Sequence, residues 1–326
     1  MKFNELLAFW QVKSQHQLLS SKVENKFEKE SESKHGFPLL NLPRVVLLEF
    51  IENLDVLEII VLSLLSKRAK AIAKLVRWNS LNILLQANSK PVIQLKCSMD
   101  PGRIWKMVYE KKEASSGYPY FKSILAGPRV FYRLTLRDHE NATEDLKQMA
   151  EHICEVFRSP ISSIYTSEDS LIEWLIKFQP TIRYVSIRKN VVTSVETLDR
   201  ILNNLKVTEH FWLESITIDE NFQYSGPIPS RSITINDSSW VTLPSIINGN
   251  NSVIRLFGSK LTPTDINTIF KEWQMGTKLQ NLEYLEINTP AIDAFTRQDV
   301  DNYTVELLKD LRLTESDGNE GRPMEV

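Results

Sequence analysis

"FPLLNLPRVVLLEFIENLDVLEIIVLSLLSKRAK", residues 37–70, is the stretch on which the reading of this chain turns. Twenty of its 34 residues are strongly apolar or alanine, and it follows a charged, polar leader. It divides into three short helices. Pro43 suits a first helical turn, where its missing N–H costs nothing. Asp55 followed by Glu58 has capping-box spacing and predicts a second helix start. A third helix begins near Ser66 and runs through SKRAKAIAKLVRW. Val45, Val46, Leu47 and Leu48 are consecutive, so at about 100° per residue they point around the whole circumference of the first helix. The second repeats the problem with Ile59, Ile60, Val61, Leu62, Leu64 and Leu65. Helices totalling about 35 residues cannot hold such a core alone, because domains below about 40 residues usually need a staple or a partner. Four large apolar side chains left exposed forgo roughly 1.5–3 kcal/mol each, close to the whole stability of a domain. One face is therefore expected to pack on the rest of the chain and another on a separate protein. The competing reading is a helical hairpin buried inside one larger domain.

The remaining composition is that of an ordinary globular chain: 326 residues, 42% hydrophobic, 25% charged, formal net charge -2. The length suits about two domains. A near-neutral balance gives no support for a nucleic-acid or membrane-surface partner, which would normally need a basic field. Cys97 and Cys154 are the only cysteines, and the five histidines form no close set with them. A disulfide framework or zinc site needs more ligands at tighter spacing, so an intracellular compartment, cytoplasmic or nuclear, is expected. The longest strongly apolar run, IIVLSLL at 59–65, is seven residues, where a membrane span needs about 20. The N-terminus carries Glu5 inside its apolar cluster and reads as an amphipathic helix over 3–19, not as a signal peptide.

The order Leu42-Pro43, the apolar helix Val46 to Ile51, Leu54-Asp55, the second apolar helix Ile59 to Leu65, and Ser66-Lys67-Arg68 resembles the F-box. This is the helical module by which substrate receptors dock on the Skp adaptor of cullin-RING ubiquitin ligases. The resemblance implies adaptor contacts by Leu42, Pro43, Val46, Leu47, Phe50, Leu54, Ile59 and Leu62, and through the adaptor a cullin and a RING subunit. Many F-boxes carry a tryptophan shortly after the Lys-Arg pair. This chain has Ala69 there.

Strand-like segments recur behind this module: RVFYRLTL, ISSIYTS, IRYVSIRKN, LESITID, RSITIND, SVIRLFGS and LEYLEIN, centred near Leu134, Ile164, Val185, Ile216, Ile233, Ile254 and Leu285. The last six form two sets of three with matching steps of 21 (185 − 164 and 254 − 233) and 31 (216 − 185 and 285 − 254). One offset of 69 residues (233 − 164) relates the sets and lays Thr193 on Thr262 and Glu196 on Asp265, each an N-cap threonine with an acid three residues later. Pro263 strengthens the second helix start. The expected fold is α+β / α/β: a three-helix F-box followed by an irregular leucine-rich-repeat-like β/α solenoid with a tandem duplication of about 69 residues. The expected domains are an N-terminal helix and polar linker (1–36), the F-box (37–78), a connecting α/β region (79–160), a repeat domain (161–308, with repeats 161–229 and 230–298) and a disordered tail (309–326).

Ser239-Trp240, Ser259-Lys260-Leu261-Thr262, Asp265, Trp273 and Leu282-Glu283-Tyr284-Leu285 make residues 232–287 similar to the type 2 F-box-associated domain that follows the F-box in a large nematode receptor family. That resemblance implies a receptor whose C-terminal half holds a target protein. The connector DENFQYSGPIPSR at 219–231 offers contact residues, since loops carry recognition more often than scaffold does. Phe222, Tyr224, Pro227 and Trp240 are the candidates, with a structural role in the core as the alternative for Trp240 and Trp273. No Gly-rich phosphate loop, G-x-S-x-G elbow or metal-ligand cluster is present, so no cofactor is implied. FGSKLT lacks the first glycine of a phosphate loop. Cys154 and His152, two apart on a helix, do not face each other. The expected function is therefore a non-catalytic subunit that binds the Skp adaptor and an unidentified target for ubiquitination. The alternative is a scaffold or antidote-like partner acting by occupancy alone.

Overall fold

A computed structural model describes residues 43–76, 80–110, 121–137, 141–189, 191–219, 221–289 and 297–311. The expected helix over 3–19, the linker at 20–36, Leu42 and tail residues 312–326 lie outside the described residues. The chain divides into two compact units, Met1–Ile161 and Ser162–Val326.

The first unit opens with three helices: α1 (Arg44–Glu52), α2 (Val56–Leu64) and α3 (Lys67–Ala73). Pro43 stands one position before α1 as its N-cap and accepts the Leu47 N–H at 3.0 Å. Asp55 and Glu58 form the expected reciprocal box, each side chain accepting from the other's backbone N–H at 3.0 and 2.9 Å. Ser66 caps α3 by accepting the Ala69 N–H at 3.1 Å. Together these caps satisfy donors that a short helix otherwise leaves orphaned.

Five strands follow, β1 (Leu81–Ala87), β2 (Val92–Cys97), β3 (Asp100–Glu110), β4 (Phe121–Ala126) and β5 (Arg129–Arg137), in the order β1-β2-β3-β5-β4. All neighbouring pairs are antiparallel except β3 and β5, which run parallel. Alternation buries Leu81, Ile83, Leu85 and Ala87 of β1 and Ile93 and Leu95 of β2. Helix α4 (Ala142–Phe157) packs on β1, β2 and α2. It buries Leu146, Ala150, Ile153 and Phe157, spaced three or four apart on one helical face. Only β5 is among the segments that the sequence marks as strand-like.

In the second unit strands and helices alternate: β6 (Ile161–Thr166), α5 (Asp169–Phe178), β7 (Thr181–Ile187), α6 (Val195–Asn204), β8 (Lys206–Leu213), β9 (Ser232–Ile235), α7 (Leu243–Ile247), β10 (Val253–Leu256), α8 (Pro263–Met275), β11 (Tyr284–Ile287) and α9 (Arg297–Leu308). The strands lie side by side in sequence order and every neighbouring pair is parallel. One register line crosses all six through Ile164, Val185, Phe211, Ile233, Ile254 and Leu285. Five of these are the strand centres marked by the sequence, and the sixth differs. LESITID forms no strand beyond Leu213, the last residue of β8: Glu214 N–H donates to Ile187 O at the end of β7 at 2.9 Å, and Thr217 N–H turns to Val192 O in the loop at 2.8 Å. The strand is KVTEHFWL, which buries Val207, Phe211 and Leu213 at alternate positions. The 69-residue offset therefore fails at its third step. It also fails at the first cap, where Ser194, and not Thr193, receives the Thr197 N–H at 3.2 Å. Thr262 and Asp265 do form the expected box, with Pro263 in the first turn.

Candidate functional site

Two surfaces carry the residues that the sequence singles out. On the helical module the run of four apolar residues divides as a packing argument requires: Val45 is 77% and Val46 47% exposed, while Leu47 is only 3% exposed. Pro43 is exposed beside them, and Phe50 and Leu54 are half-buried. Ile59 and Leu62 are fully buried, for α2 is covered on every side from Val56 to Ser63. Leu47, Ile59 and Leu62 therefore belong to the internal core and not to an open docking face. The exposed apolar side chains of the module also include Val45, Leu64 and Leu75, which the sequence did not single out for contact. Val45 is legible in the VVLL run, since whichever residue faces inward leaves its neighbours turned away by about 100° each.

The module is anchored through α4. Ser63 Oγ and His152 Nε2 lie 2.7 Å apart, and Glu155 accepts from both Lys70 and Lys74. Burial, reinforced by the Lys70 charge, pushes the His152 pKa down to about 4, so the ring is neutral near pH 7. The two lysines hold the Glu155 carboxyl at about 2. Burial drives the Cys154 thiol up to about 12, the opposite of what an activated nucleophile needs.

In the second unit, Phe222, Tyr224 and Trp240 come together. Trp240 stacks with Phe222 at 6.3 Å between centroids and meets Tyr224 edge-on at 6.0 Å. Tyr224 bridges to Val241 as an isolated parallel pair, and its N–H donates to Trp240 O at 2.8 Å. Trp240 is only 3% exposed, and its indole N–H donates to Asp237 O at 2.8 Å. It is a prop under the connector, not a surface anchor; Pro227 stays exposed apart from the cluster. Phe222 and Trp240 wall a cavity of about 340 Å³ with Asp219, Asp237 and Lys260 on its polar side. In FGSKLT, Gly258 sits at φ +68°, a turn conformation that favours glycine.

A further surface went unmarked by the sequence. Residues alternating with the buried register line face away from it, and the Arg188 guanidinium lies 4.7 Å over Tyr165 and 5.9 Å from the Trp212 ring. Arg255 lies 4.8 Å over Tyr284 and 3.2 Å from Glu286. The signal was present in IRYVSIRKN, whose arginine and tyrosine positions alternate with Ile182, Val185 and Ile187.

Compared with known families, residues 39–81 match the F-box domain and residues 221–287 match the F-box associated family. The chain is an F-box protein with a C-terminal F-box-associated domain. F-box domains generally bind the Skp adaptor, and neither matched family is a catalytic one. No curated protein and no solved structure matches the chain. In this F-box protein the first match covers α1 to α3 and reaches the start of β1, and the second begins in the aromatic connector and ends with β11.

Proposed function

We propose that this F-box protein is the substrate-recognition subunit of a Skp–cullin–F-box ubiquitin ligase, acting in the cytoplasm or nucleus. Pro43, Val45 and Val46 seat the Skp adaptor. A leucine-rich-repeat-like domain over residues 161–308 holds a target protein, which is then ubiquitinated and degraded. The chain contributes proximity: it raises the effective concentration of target lysines near the conjugating enzyme that the cullin brings. The observation that carries this reading is the exposed Val45–Val46 pair at the start of α1, beside a fully covered α2 and within the segment that matches the F-box family.

The test is co-purification of the intact chain with the Skp adaptor, beside a Val45→Glu/Val46→Glu variant whose fold is checked by circular dichroism. Capture by the intact chain and its loss in the folded variant supports adaptor docking. No capture by a folded intact chain overturns it. Target stability then separates degradation from occupancy: a receptor lowers its target's level in a proteasome-dependent way, whereas a neutralising scaffold leaves that level unchanged.

A further inference from the structure

The sheet of the first unit has a face that α4 does not cover. A register line crosses it through Leu84, Gln94, Lys106 and Arg133. With Phe131 and Ile124 beside them, the last three line an open depression of about 610 Å³. Three basic side chains border it, Lys90, Lys106 and Arg133, against a single acid, Glu110. Glu110 is already engaged by Arg133 Nη2 at 2.5 Å. The Lys106 ammonium rests 4.9 Å over the Phe131 ring, and among the described residues no carboxylate meets it. Arg133 Nε is buried without an acceptor. The depression thus holds positive charge, at Lys90 and Lys106, that no carboxylate among the described residues compensates, the condition in which an added acid gains most.

Strand β4 ends the sheet order next to this depression, so its outer backbone edge has no neighbouring strand among the described residues. Ile124 and Leu125 on it are 49% and 76% exposed. Such an edge presents a row of unpaired N–H and C=O groups, and an extended segment can add to it by main-chain pairing. Because side chains alternate along a strand, every second residue of the added segment falls on the face that holds Lys106 and Arg133. A second copy of this chain would bring the same cations to that face, so charge selects against self-pairing.

We propose that the free edge of β4 and the adjoining cationic depression form a docking groove for an extended, acidic segment of a partner protein. The segment pairs with β4 as a further strand and turns its carboxylates to the face that carries Arg133 and Lys106, two and three strand spacings away, where they act through the field of the depression, while its apolar residues fall on the opposite face beside Leu125. This surface is distinct from adaptor docking and does not depend on it.

The experiment uses the full chain and a fluorescent peptide of about eight residues, a common strand length, alternating glutamate and valine. A lysine–valine peptide of equal length is the control. Anisotropy reads affinity, and amide hydrogen exchange reads β4. The acidic peptide is expected to bind about tenfold or more tightly than the basic one. It should slow exchange at residues 121–126 and lose about tenfold in affinity on Lys106→Glu, with the fold unchanged by circular dichroism. Equal binding of the two peptides, no binding up to about 1 mM, protection elsewhere than β4, an unaffected Lys106→Glu variant, or a concentration-dependent dimer in place of a peptide complex each overturns the proposal. Adaptor capture measured on the same preparations reports on the F-box separately, so failure of one reading is not mistaken for failure of the other.

Discussion

The first unit builds its sheet chiefly from antiparallel neighbours, the second from parallel strands in sequence order, and their outward faces differ in how charge is settled. In the second unit three arginines pair with glutamates: Arg183 of β7 with Glu209 of β8 at 2.6 Å, Arg188 with Glu214 just past the ends of those strands at 3.9 Å, and Arg255 of β10 with Glu286 of β11 at 3.2 Å. Parallel register makes this natural, because neighbouring strands place equivalent positions side by side, and a cation on one meets an acid on the next. In the first unit Lys106 faces Gln94 and Arg133, so no acid lies across from it. One face pairs these arginines with acids and offers rings; the other leaves Lys106 without a carboxylate among the described residues. Recognition on the two should therefore respond differently to salt, strongly for the first and weakly for the second.

The largest effect that tests this contrast concerns what lies beneath the faces. Phe211→Ala, at the centre of the register line, should cost about 3–5 kcal/mol in denaturant unfolding, because the ring is buried and its loss leaves a cavity. A loss below about 1 kcal/mol would mean that the line is not the packing axis of the second unit.

A pH effect comes next, and it belongs to the first unit. The unfolded chain binds a proton at His152 near the ordinary pKa of 6.5, whereas the folded chain resists it down to about 4. This contribution is complete above pH 6.5 and is lost as pH falls from 6.5 towards 4. The ring is partly solvated, so the loss is about 1–2 kcal/mol, less than the full shift implies. His152→Gln, which keeps a side-chain hydrogen-bond partner for Ser63, should flatten the stability profile across that interval; an unchanged profile refutes the assignment.

Removing a single cap is smaller. Thr262→Ala should destabilise by about 1 kcal/mol and Thr193→Ala by far less, since Ser194 holds the cap of α6. Equal losses would restore the repeat symmetry that the structure denies. The smallest effect lies on the faces themselves. Arg255→Ala should cost up to about 1 kcal/mol through its glutamate and tyrosine contacts, and Lys106→Ala about 0.5 kcal/mol or less, because no acid depends on it.

The parallel strands were legible because each is a short β-branched core followed by a helix with its own start signal, as in SVIRLFGS before Thr262, Pro263 and Asp265. KVTEHFWL was hidden by its charged outward residues, Lys206 and Glu209, which dilute the apolar pattern, while LESITID imitates a strand but turns its Thr217 N–H to the loop. Strands β1 to β4 carry polar residues on the uncovered face, as in LNILLQA, and their pairing partners are set by tertiary contact and not by local propensity. On the helical module composition marked α1 as a helix with apolar side chains all round it. The split between Val46 outward and Leu47 inward depends on what α1 packs against, which spacing alone does not specify.

The strand order of the second unit has a further consequence. Where each strand lies beside its own sequence neighbour, a strand–helix step can be inserted or deleted at the cost of one new junction, leaving the other junctions intact. Such a step would change the length of the outward face without touching Val45, Val46 or the caps of the N-terminal helices.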